Sequence, residues 1–266
     1  MSNAVLDQLR SLGISTVTVA GQQAQDTANM VARKLPSSEV CFIATSWGYQ
    51  DALSASSFAY AKRAPMFLTN SAGTLDRSTL ACIRSKNFKR VVLIGGESVL
   101  SPEIVQQLNK VGIKDIQRIA GDTAYDTSAL FAQWALNHGM KANNMAIATG
   151  YGYEDALVGA ALCGKKDSIM VLADDSNTSA VDLIVDAQKN KISNYYILGG
   201  ESVVGNRVNE GLQNVFSSFG DDVNAADSAD GASLQADINS DAGNEAPQAS
   251  AKPAPDEDIE ADINDD

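Results

Sequence analysis

Apolar runs alternate with amphipathic stretches along most of this chain. Continuous apolar runs, such as residues 39–45 and 90–95, are typical of strands that are buried on both faces of a sheet. Between them, stretches such as residues 26–35 repeat apolar positions three or four apart, as a helix with one buried face does. The alternation predicts an α/β fold of tandem Rossmann-like or Toprim-like units, with mainly parallel sheets and helices on both faces.

The same pattern predicts the individual elements. Strands are predicted at residues 16–20, 39–45, 65–69, 90–95, 146–149, 169–173 and 195–199. Helices are predicted at residues 26–35, 51–62, 76–85 and 104–111, and Ser101-Pro102-Glu103 opens the last of them as N-cap, first-turn proline and acid. Cys41, Cys82 and Cys163 fall within apolar stretches, so we expect buried free thiols.

This order of elements occurs twice. A Val/Ile-Ala-Gly block and an Asp-Thr pair recur 100 residues apart, and Ala-Thr, Asp-Ala-Leu and Gly-Gly-Glu-Ser-Val blocks recur 104 residues apart. The four extra residues fall between Thr127 and Ala148, in a longer helix and connection of the second copy. Collinear matches with one small insertion indicate a tandem repeat. The chain is therefore divided into copy one at residues 5–115, copy two at residues 116–217 and a tail at residues 218–266.

The excess charge of the chain is concentrated in the tail. Its fourteen carboxylates, set against the single base Lys252, account for the whole net charge of -13, so the two copies together are neutral. The tail is rich in Asp, Ala, Asn and Ser and has no aromatic residue after Phe219, which predicts a disordered acidic segment. Neutral copies do not favour non-specific nucleic-acid binding, and no apolar run is long enough to insert into a membrane.

The copies carry few residues of the kinds that catalysis needs. The single histidine, His138, has no counterpart in copy one, and the adjacent carboxylates Glu154 and Asp155 correspond there to Gln50 and Asp51. A Gly-Gly pair follows a predicted strand in each copy, yet the third glycine of a dinucleotide fingerprint is missing, and no phosphate-binding Gly-x-x-x-x-Gly-Lys-Ser/Thr loop occurs. We expect no enzyme activity, no cofactor and no bound metal.

Polar residues of both copies gather where the predicted strands end. In open α/β sheets, ligands bind outside the carboxyl ends of the strands, beside helix N-termini whose N–H groups favour anions. The candidate ligand-binding residues at this edge are Thr45, Ser46, Asp51, Thr69, Asn70, Glu97, Ser98, Asp122, Tyr125, Thr149, Asp155, Glu201 and Ser202.

Several of these features also have a purely structural interpretation. Asp51 and Asp155 can complement a helix dipole, and the Gly-Gly pairs can permit a tight turn with positive φ. Aromatic residues of the same loops can stack on sugar faces or pack on their own scaffold. These residues are Trp47, Tyr49, Tyr151 and Tyr153. The sequence leaves the alternatives open.

The order of the blocks resembles the cell wall binding repeat 2 family of Gram-positive surface proteins. The blocks that carry the resemblance are Ala148-Thr149-Gly150 with Asp155-Ala156-Leu157, the Gly-Gly-Glu-Ser-Val block of each copy, and Arg118-Ile119-Ala120-Gly121 with Tyr125-Asp126-Thr127. The resemblance covers roughly residues 5–216 and adds Arg118 to the candidate residues. It implies a secreted, non-catalytic module of the cell wall or cell surface that binds an anionic wall polymer without a covalent bond.

Copy one departs from the family pattern. Thr18 and Gln25 stand where copy two has Arg118 and Tyr125, and Ser46 replaces a glycine. If the family's arginines contact the anionic polymer, copy one binds it more weakly. Members of the family commonly carry three repeats about a pseudo-threefold axis. The two copies seen here therefore imply either further repeats or assembly into a homo-oligomer.

Wall attachment through the carboxyl-end edge of the sheets is the preferred hypothesis. Two alternatives stay open: a small-molecule or nucleotide-binding enzyme on a Rossmann-like sheet, and a structural surface repeat that assembles with itself. The acidic tail should repel an anionic wall at low ionic strength. We therefore expect the tail to be a spacer and not a contact element.

Overall fold

Strands and helices alternate from residue 24 onward in the computed structural model, which describes residues 2–217. The strands are β1 Val40–Ala44, β2 Met66–Leu68, β3 Arg90–Ile94, β4 Asp115–Ile119, β5 Lys141–Ala148, β6 Ser168–Leu172 and β7 Asn194–Leu198. The helices are α1 Asn3–Ser11, α2 Ala24–Lys34, α3 Gln50–Lys62, α4 Arg77–Lys86, α5 Glu103–Lys110, α6 Ala124–Asn137, α7 Glu154–Lys165, α8 Ser179–Gln188 and α9 Asn206–Ser217, with a 3-10 turn at Lys189–Lys191. The disordered tail predicted at residues 218–266 lies outside the described residues.

The strands form two parallel sheets, which confirms the predicted class. The first sheet has the order β2-β1-β3-β4, and the second has the order β6-β5-β7. Although β4 opens copy two, it pairs along β3 of copy one, from Arg90 opposite Asp115 to Ile94 opposite Ile119. The first sheet therefore takes its edge strand from the second copy.

The strand predicted at residues 16–20 was wrong. This segment corresponds to β4, and β4 pairs with the last strand of the copy before it. Residues 16–20 pair with no described strand, and a strand without a hydrogen-bonded neighbour leaves its backbone groups to water. Val17 is accordingly 79% exposed. Helix α1, which precedes this segment and was not predicted, buries none of its residues.

Both faces of the first sheet are buried, and the two copies share a core. On β1, Cys41 and Ile43 join a cluster with residues of α2, α4 and α5, whereas Phe42 between them joins a cluster with residues of α3 and α6. Because α6 belongs to copy two, this second cluster crosses between the copies. Phe131 of α6 meets Phe42 edge to face at 5.6 Å between ring centroids.

Two further contacts hold the copies together. Helices α3 and α7 pack so closely that a side-chain carbon at Gly164 would lie 2.8 Å from the Ser57 carbonyl oxygen. His138 stacks on Trp134 with 3.9 Å between ring centroids, and its Nε2 lies 2.8 Å from Nη1 of Arg90 in copy one. The single histidine thus has a packing role at the boundary between the copies.

Candidate functional site

Matching loops follow β1 and β5 at the carboxyl-end edge. In copy one, the Oγ1 of Thr45 accepts a hydrogen bond of 3.2 Å from the backbone N–H of Trp47. In copy two, the Oγ1 of Thr149 accepts the equivalent bond of 2.9 Å from Tyr151. Both threonines are buried. They fix the turn of each loop and place the aromatic residue that follows.

The two predicted aspartates lie against the Gly-Gly blocks. Gly95 has a φ of 121° and Gly199 a φ of 113°, a region that favours glycine. A side-chain carbon at Gly95 would lie 2.6 Å from Oδ2 of Asp51, and one at Gly199 would lie 2.8 Å from Oδ2 of Asp155. Burial raises the pKa of Asp51, and a hydrogen bond with Thr127 opposes that shift. These contacts favour the structural interpretation of both the glycines and the aspartates.

The Ala-Gly and Asp-Thr blocks also contact each other in both copies. In copy two, the Oγ1 of Thr127 accepts a hydrogen bond of 3.0 Å from the N–H of Gly121. A side-chain carbon at Gly121 would lie 2.2 Å from Cβ of Asp126, and Gly21 meets the same obstruction at 2.2 Å in copy one. The repeated block is therefore a close-packed turn that only glycine permits.

Asn70 and Thr69 follow β2 and face inward. The Asn70 Oδ1 accepts hydrogen bonds from the backbone N–H groups of Ala72 and Thr74, and its Nδ2 donates to Asp76 at 2.9 Å. Thr69 is fully buried, and its hydroxyl has no partner among the described residues. Asn70 therefore organises its own loop.

Arg118 reaches from β4 to the loop that follows β3. Its Nη1 donates to the carbonyl of Gly95 at 2.8 Å, and its Nη2 donates to the carbonyl of Leu100 at 3.0 Å. Burial lowers the pKa of Arg118, and the nearby charge of Glu97 acts in the opposite sense. The guanidinium thus ties copy two to the Gly-Gly loop of copy one.

Tyr125 fills the space that Gly150 leaves open. Its hydroxyl donates to Oδ2 of Asp174, and burial together with this carboxylate raises the pKa of Tyr125. A side-chain carbon at Gly150 would lie 3.1 Å from Cε1 of the Tyr125 ring. Copy one has Gln25 and Ser46 at the corresponding positions, so its two departures from the family pattern occur together. Without the ring, a serine fits where copy two needs glycine.

The remaining polar candidates are accessible at the same edge. Ser46 is half-buried and the others are exposed. The exposed ones are Glu97, Ser98, Asp122, Glu201 and Ser202. These side chains are free to meet a ligand, whereas most of the buried candidates are occupied by contacts within the protein.

The four loop aromatics form what we call the aromatic surface. The indole N–H of Trp47 donates to the carbonyl of Ser71 at 3.2 Å, yet Trp47 stays 72% exposed, and Tyr151 at the equivalent place in copy two is 83% exposed. Tyr49 accepts a hydrogen bond of 3.0 Å from the N–H of Gly152 and meets Tyr153 edge to face at 5.5 Å. Tyr49 and Tyr153 therefore join the copies, while Trp47 and Tyr151 present rings to solvent.

Charge is divided between the two edges of the sheets. The carboxylates at or near the carboxyl-end edge are Asp26, Asp51, Asp76, Glu97, Glu103, Asp122, Asp126, Glu154, Asp155, Asp174, Asp175, Asp182 and Glu201. The bases at the opposite, amino-end edge are Arg33, Lys34, Lys62, Arg63, Arg84, Lys86, Lys89, Arg90, Lys110, Lys114, Lys141, Lys165, Lys166, Lys189 and Lys191. Fewer carboxylates lie at that edge, namely Glu39, Asp115, Asp167 and Asp186, and the first three of these pair with Lys89, Arg90 and Lys62. Helix dipoles favour this division.

This division of charge changes where an anion is expected to bind. Helix N-termini were expected to attract them, but these termini already lie beside the chain's own carboxylates, of which Asp126 closes a capping box on α6. The basic edge was not predicted from the sequence, because opposite charges cancel in the net charge of the copies. The bases at the ends of the predicted helices were the signal that would have shown it.

Within residues 2–217, no three His, Cys, Asp or Glu side chains lie together as a metal ion would require. Cys41, Cys82 and Cys163 are buried free thiols, as predicted. None of the described helices combines the length and the apolar character needed to cross a bilayer. The chemistry that remains accessible is that of aromatic rings, amides, hydroxyls and surface charges.

Comparison with known proteins identifies the repeat. The model of the family described as Cell wall binding domain 2 matches residues 18–105 and 118–209. The chain is 28% identical over 214 residues to the N-acetylmuramoyl-L-alanine amidase LytC of Bacillus subtilis, covering 80% of this chain and 41% of that protein. It is 27% identical over 219 residues to the amidase enhancer of the same organism, covering 81% of this chain and 28% of that protein. The chain thus spans less than half the length of these relatives.

Solved structures share the fold. Cwp8 from Clostridium difficile superposes with a TM-score of 0.71 at 22% identity, covering 82% of this chain and 36% of that chain. Cwp6 from the same organism superposes with a TM-score of 0.66 at 21% identity, covering 76% of this chain and 33% of that chain. At these identities the likeness concerns the arrangement of helices and strands.

Proposed function

Because this chain belongs to the cell wall binding domain 2 family, we propose that it attaches a secreted protein to the Gram-positive cell wall. The attachment is non-covalent and non-catalytic, and the ligand is an anionic wall polysaccharide. The exposed aromatic surface at the carboxyl-end edge carries the proposal. Trp47 and Tyr151 hold equivalent places in the two copies and are the most exposed aromatic side chains of the described residues.

The aromatic surface suits the sugar rings of such a polymer. An aromatic face offers an apolar platform to the C–H groups of a sugar ring, and the loop hydrogen bonds hold the Trp47 indole in place before any ligand arrives. Exposed hydroxyls and carboxylates beside it, such as Ser98 and Glu97, can accept hydrogen bonds from sugar hydroxyls. Because this edge is acidic, we assign it to the uncharged parts of the polymer.

A sedimentation assay with purified walls tests the proposal. The full chain is mixed at low salt with walls that retain or lack the anionic polymer, and we expect binding only to the former. The double variant Trp47→Ala/Tyr151→Ala should weaken binding by about tenfold or more. Leu183→Ala, which changes an exposed apolar residue on α8, is the matched control and should bind as the parent does. Equal binding to stripped walls would refute the anionic ligand.

The non-catalytic part of the proposal has its own measurement. Several polar groups at the carboxyl-end edge, such as the buried Thr45 and the half-buried Asn70 and Arg118, are held by contacts within the protein. Prolonged incubation of the chain with purified walls should therefore release no reducing sugar and no free amino groups. Release that depends on the concentration of the chain would show a hydrolase.

We also propose that a second copy of this chain docks on α7. Leu157 is 57% exposed and Val158 is 74% exposed, whereas their counterparts Leu53 and Ser54 on α3 are buried. Helix α3 packs on α7 of the next copy, and β3 pairs with β4 of the next copy. Helix α7 and β7 of copy two lack such a neighbour within the described residues, which leaves an apolar helix face and a strand edge uncovered.

Light scattering across a concentration series tests this assembly. The full chain should show a mass above that of a single chain. Val158→Glu should reduce the mass to that of a single chain, because the charge would be buried in the interface. Leu183→Glu introduces the same charge on α8 and should leave the mass unchanged. The mass of a single chain at every concentration would refute the docking.

A further inference from the structure

A groove opens at the amino-end edge of the second sheet, on the side opposite the aromatic surface. Its volume is about 450 Å³, within the range of small-molecule sites. The walls come from the end of α6, the start of β5 and the chain that follows α8. The lining residues that matter here are Asn137, Met140, Lys141, Asn143, Gln188 and Lys191.

The groove is lined by residues within and beside the insertion of copy two. The four residues that copy two adds relative to copy one fall between Thr127 and Ala148. Helix α6 has 14 residues against 11 in α2, β5 has 8 residues against 5 in β1, and the connection between helix and strand is two residues shorter in copy two. The pairing of β5 with β6 changes register between Lys141 and Ala146. Such irregularities re-aim side chains and are over-represented beside functional sites.

Two cations line the groove and form no ion pair within residues 2–217. These are Lys141 and Lys191, and both are exposed. No acidic residue lines the groove, and the carboxylate of Asp167, which follows α7, is paired with Lys62 at 3.3 Å. The last turns of α6 and α8 contain no basic residue, so the two lysines lie outside the turns where they would best complement a helix dipole.

The neutral groups of the groove fit a sugar. The Oδ1 of Asn143 is buried in the groove wall and has no hydrogen-bond partner among the described residues, so a rotation of this side chain towards the groove would let it accept a bond from a ligand hydroxyl. Asn137 and Gln188 add amides that can both donate and accept. Half-buried Leu136, beside the buried Met140, supplies an apolar surface for the C–H face of a ring. An inorganic anion would leave the acceptor and the apolar surface unused.

We infer that this groove binds an acidic sugar unit, one whose carboxylate or phosphate lies between Lys141 and Lys191 while a hydroxyl donates to Asn143. The choice of a wall saccharide rests on the proposed function. The inference gives the anionic groups of the polymer a place on the basic edge, separate from the aromatic surface that receives its uncharged faces. A chain polymer long enough to pass both edges can occupy both sites.

Amide chemical shifts of the full, isotope-labelled chain test the groove directly. Glucuronic acid and glucose 6-phosphate are titrated separately, with glucose as the neutral probe. We expect residues 137–143 and 188–192 to shift with one or both acidic sugars and to respond at least about tenfold more weakly to glucose. Shifts confined to the aromatic surface, or equal responses to glucose, would overturn the inference.

Charge variants separate this groove from the general positive charge of its edge. Lys141→Glu/Lys191→Glu should weaken binding of the acidic sugar at least about tenfold, and Lys141→Ala/Lys191→Ala should do so without adding negative charge. Lys114→Glu, on the same edge but beside the first sheet, is the control and should change the affinity less than about twofold. Unchanged affinity in both double variants, with unchanged thermal unfolding, would overturn the assignment.

The wall assay with the same variants distinguishes a failure of the groove assignment from a failure of the proposed wall attachment. If the parent chain binds walls and the double variants bind them equally, the groove assignment fails and wall attachment stands. If the acidic sugars bind in the groove and the parent does not bind walls, attachment fails and the groove remains a saccharide site.

Discussion

Gly150 and Tyr125 show how a single residue can differ between the copies for a physical reason. The Tyr125 ring is anchored by the hydrogen bond from its hydroxyl to Asp174, and it occupies the space beside the Gly150 backbone. In copy one the corresponding residues are Gln25 and Ser46, and the Nε2 of Gln25 donates to Gln23 instead. The replacement of a family glycine by Ser46 therefore follows from the loss of the ring.

Substitution at Gly150 tests this coupling. Gly150→Ala should lower the free energy of unfolding by about 1–3 kcal/mol, because a methyl group would lie 3.1 Å from an anchored ring. The loss should largely disappear in a Tyr125→Gln background, where copy two would resemble copy one. Urea unfolding of the parent, both single variants and the double variant measures the coupling. Additive losses would show that the two positions are independent.

Asp51 provides a prediction about pH. Burial raises its pKa, so the folded state holds a proton on this carboxyl more tightly than the unfolded chain does. The corresponding stability is present below the pKa of the unfolded chain and is lost as pH rises through the higher folded pKa. Asp51→Asn removes this titration and keeps an oxygen that can accept from Thr127. The free energy of unfolding of the variant, relative to that of the parent, should therefore be higher at pH 7 than at pH 4.

Thermal unfolding at these two pH values checks the sign. Asp122→Asn removes one exposed negative charge from the same edge and controls for the change in net charge. A variant that loses more stability at pH 7 than at pH 4, relative to the parent, would contradict the assignment of Asp51.

At the scale of the elements, the blocks shared by the copies turn out to be mainly structural. The Ala-Gly and Asp-Thr blocks build a turn that excludes any side chain larger than hydrogen at Gly21 and Gly121. The aspartate of the Asp-Ala-Leu block packs against the first glycine of the Gly-Gly block. Repetition therefore marks the residues that the fold needs twice. The features proposed for binding are the exposed rings of the same loops and a groove lined by residues of copy two.

Helices α3 and α7 depend on a small residue at their contact. A side-chain carbon at Gly164 would lie 2.8 Å from the Ser57 carbonyl oxygen and 2.7 Å from Cβ of Tyr60. Gly164→Ala should lower the free energy of unfolding by about 1–3 kcal/mol, despite the higher helix propensity of alanine, because backbone cannot move aside easily.

Gly211 on α9 offers the matched control for Gly164. A side-chain carbon at Gly211 would meet no atom within 4 Å, so Gly211→Ala should be neutral or stabilising by up to about 1 kcal/mol. Urea unfolding of the two variants measures the difference. Equal effects at the two positions would mean that helix propensity, and not the approach of α3 to α7, governs both.

At the scale of the whole molecule, charge decides how the chain meets a wall. The copies are neutral in sum but carry most of their bases at one edge and most of their carboxylates at the other, and residues 219–266 add the entire net charge of -13. An anionic polymer should therefore approach the amino-end edge, while the acidic segment repels it at low ionic strength.

Deletion of residues 219–266 tests the role of that segment. Wall binding should strengthen or stay unchanged, and any gain should shrink between about 0.01 M and 0.15 M salt as screening grows. The sedimentation assay on the full chain and the shortened chain measures both effects. Weaker binding after the deletion would make the acidic segment a contact element instead of a spacer.

The sequence by itself determined the α/β class, the duplication and most element positions. Continuous apolar runs such as that around β3 identify buried strands without knowledge of their neighbours, since burial on both faces requires them to be apolar throughout. The positive φ of Gly95 and Gly199 was likewise among the interpretations that the sequence offered. These features depend on residues that are close together in the sequence, so the sequence alone predicts them.

Only the tertiary structure decided which copy completes which sheet. Residues 16–20 and β4 correspond in the two copies, yet within residues 2–217 only β4 pairs with another strand, because pairing depends on a neighbour distant in sequence. The aspartates beside the glycines, the anchored Tyr125 and the groove at Lys141 and Lys191 likewise depend on elements that the fold brings together. Contacts between distant residues have no local signature. The sequence could therefore predict that polar residues gather at the carboxyl-end edge, but not which side chains contact one another.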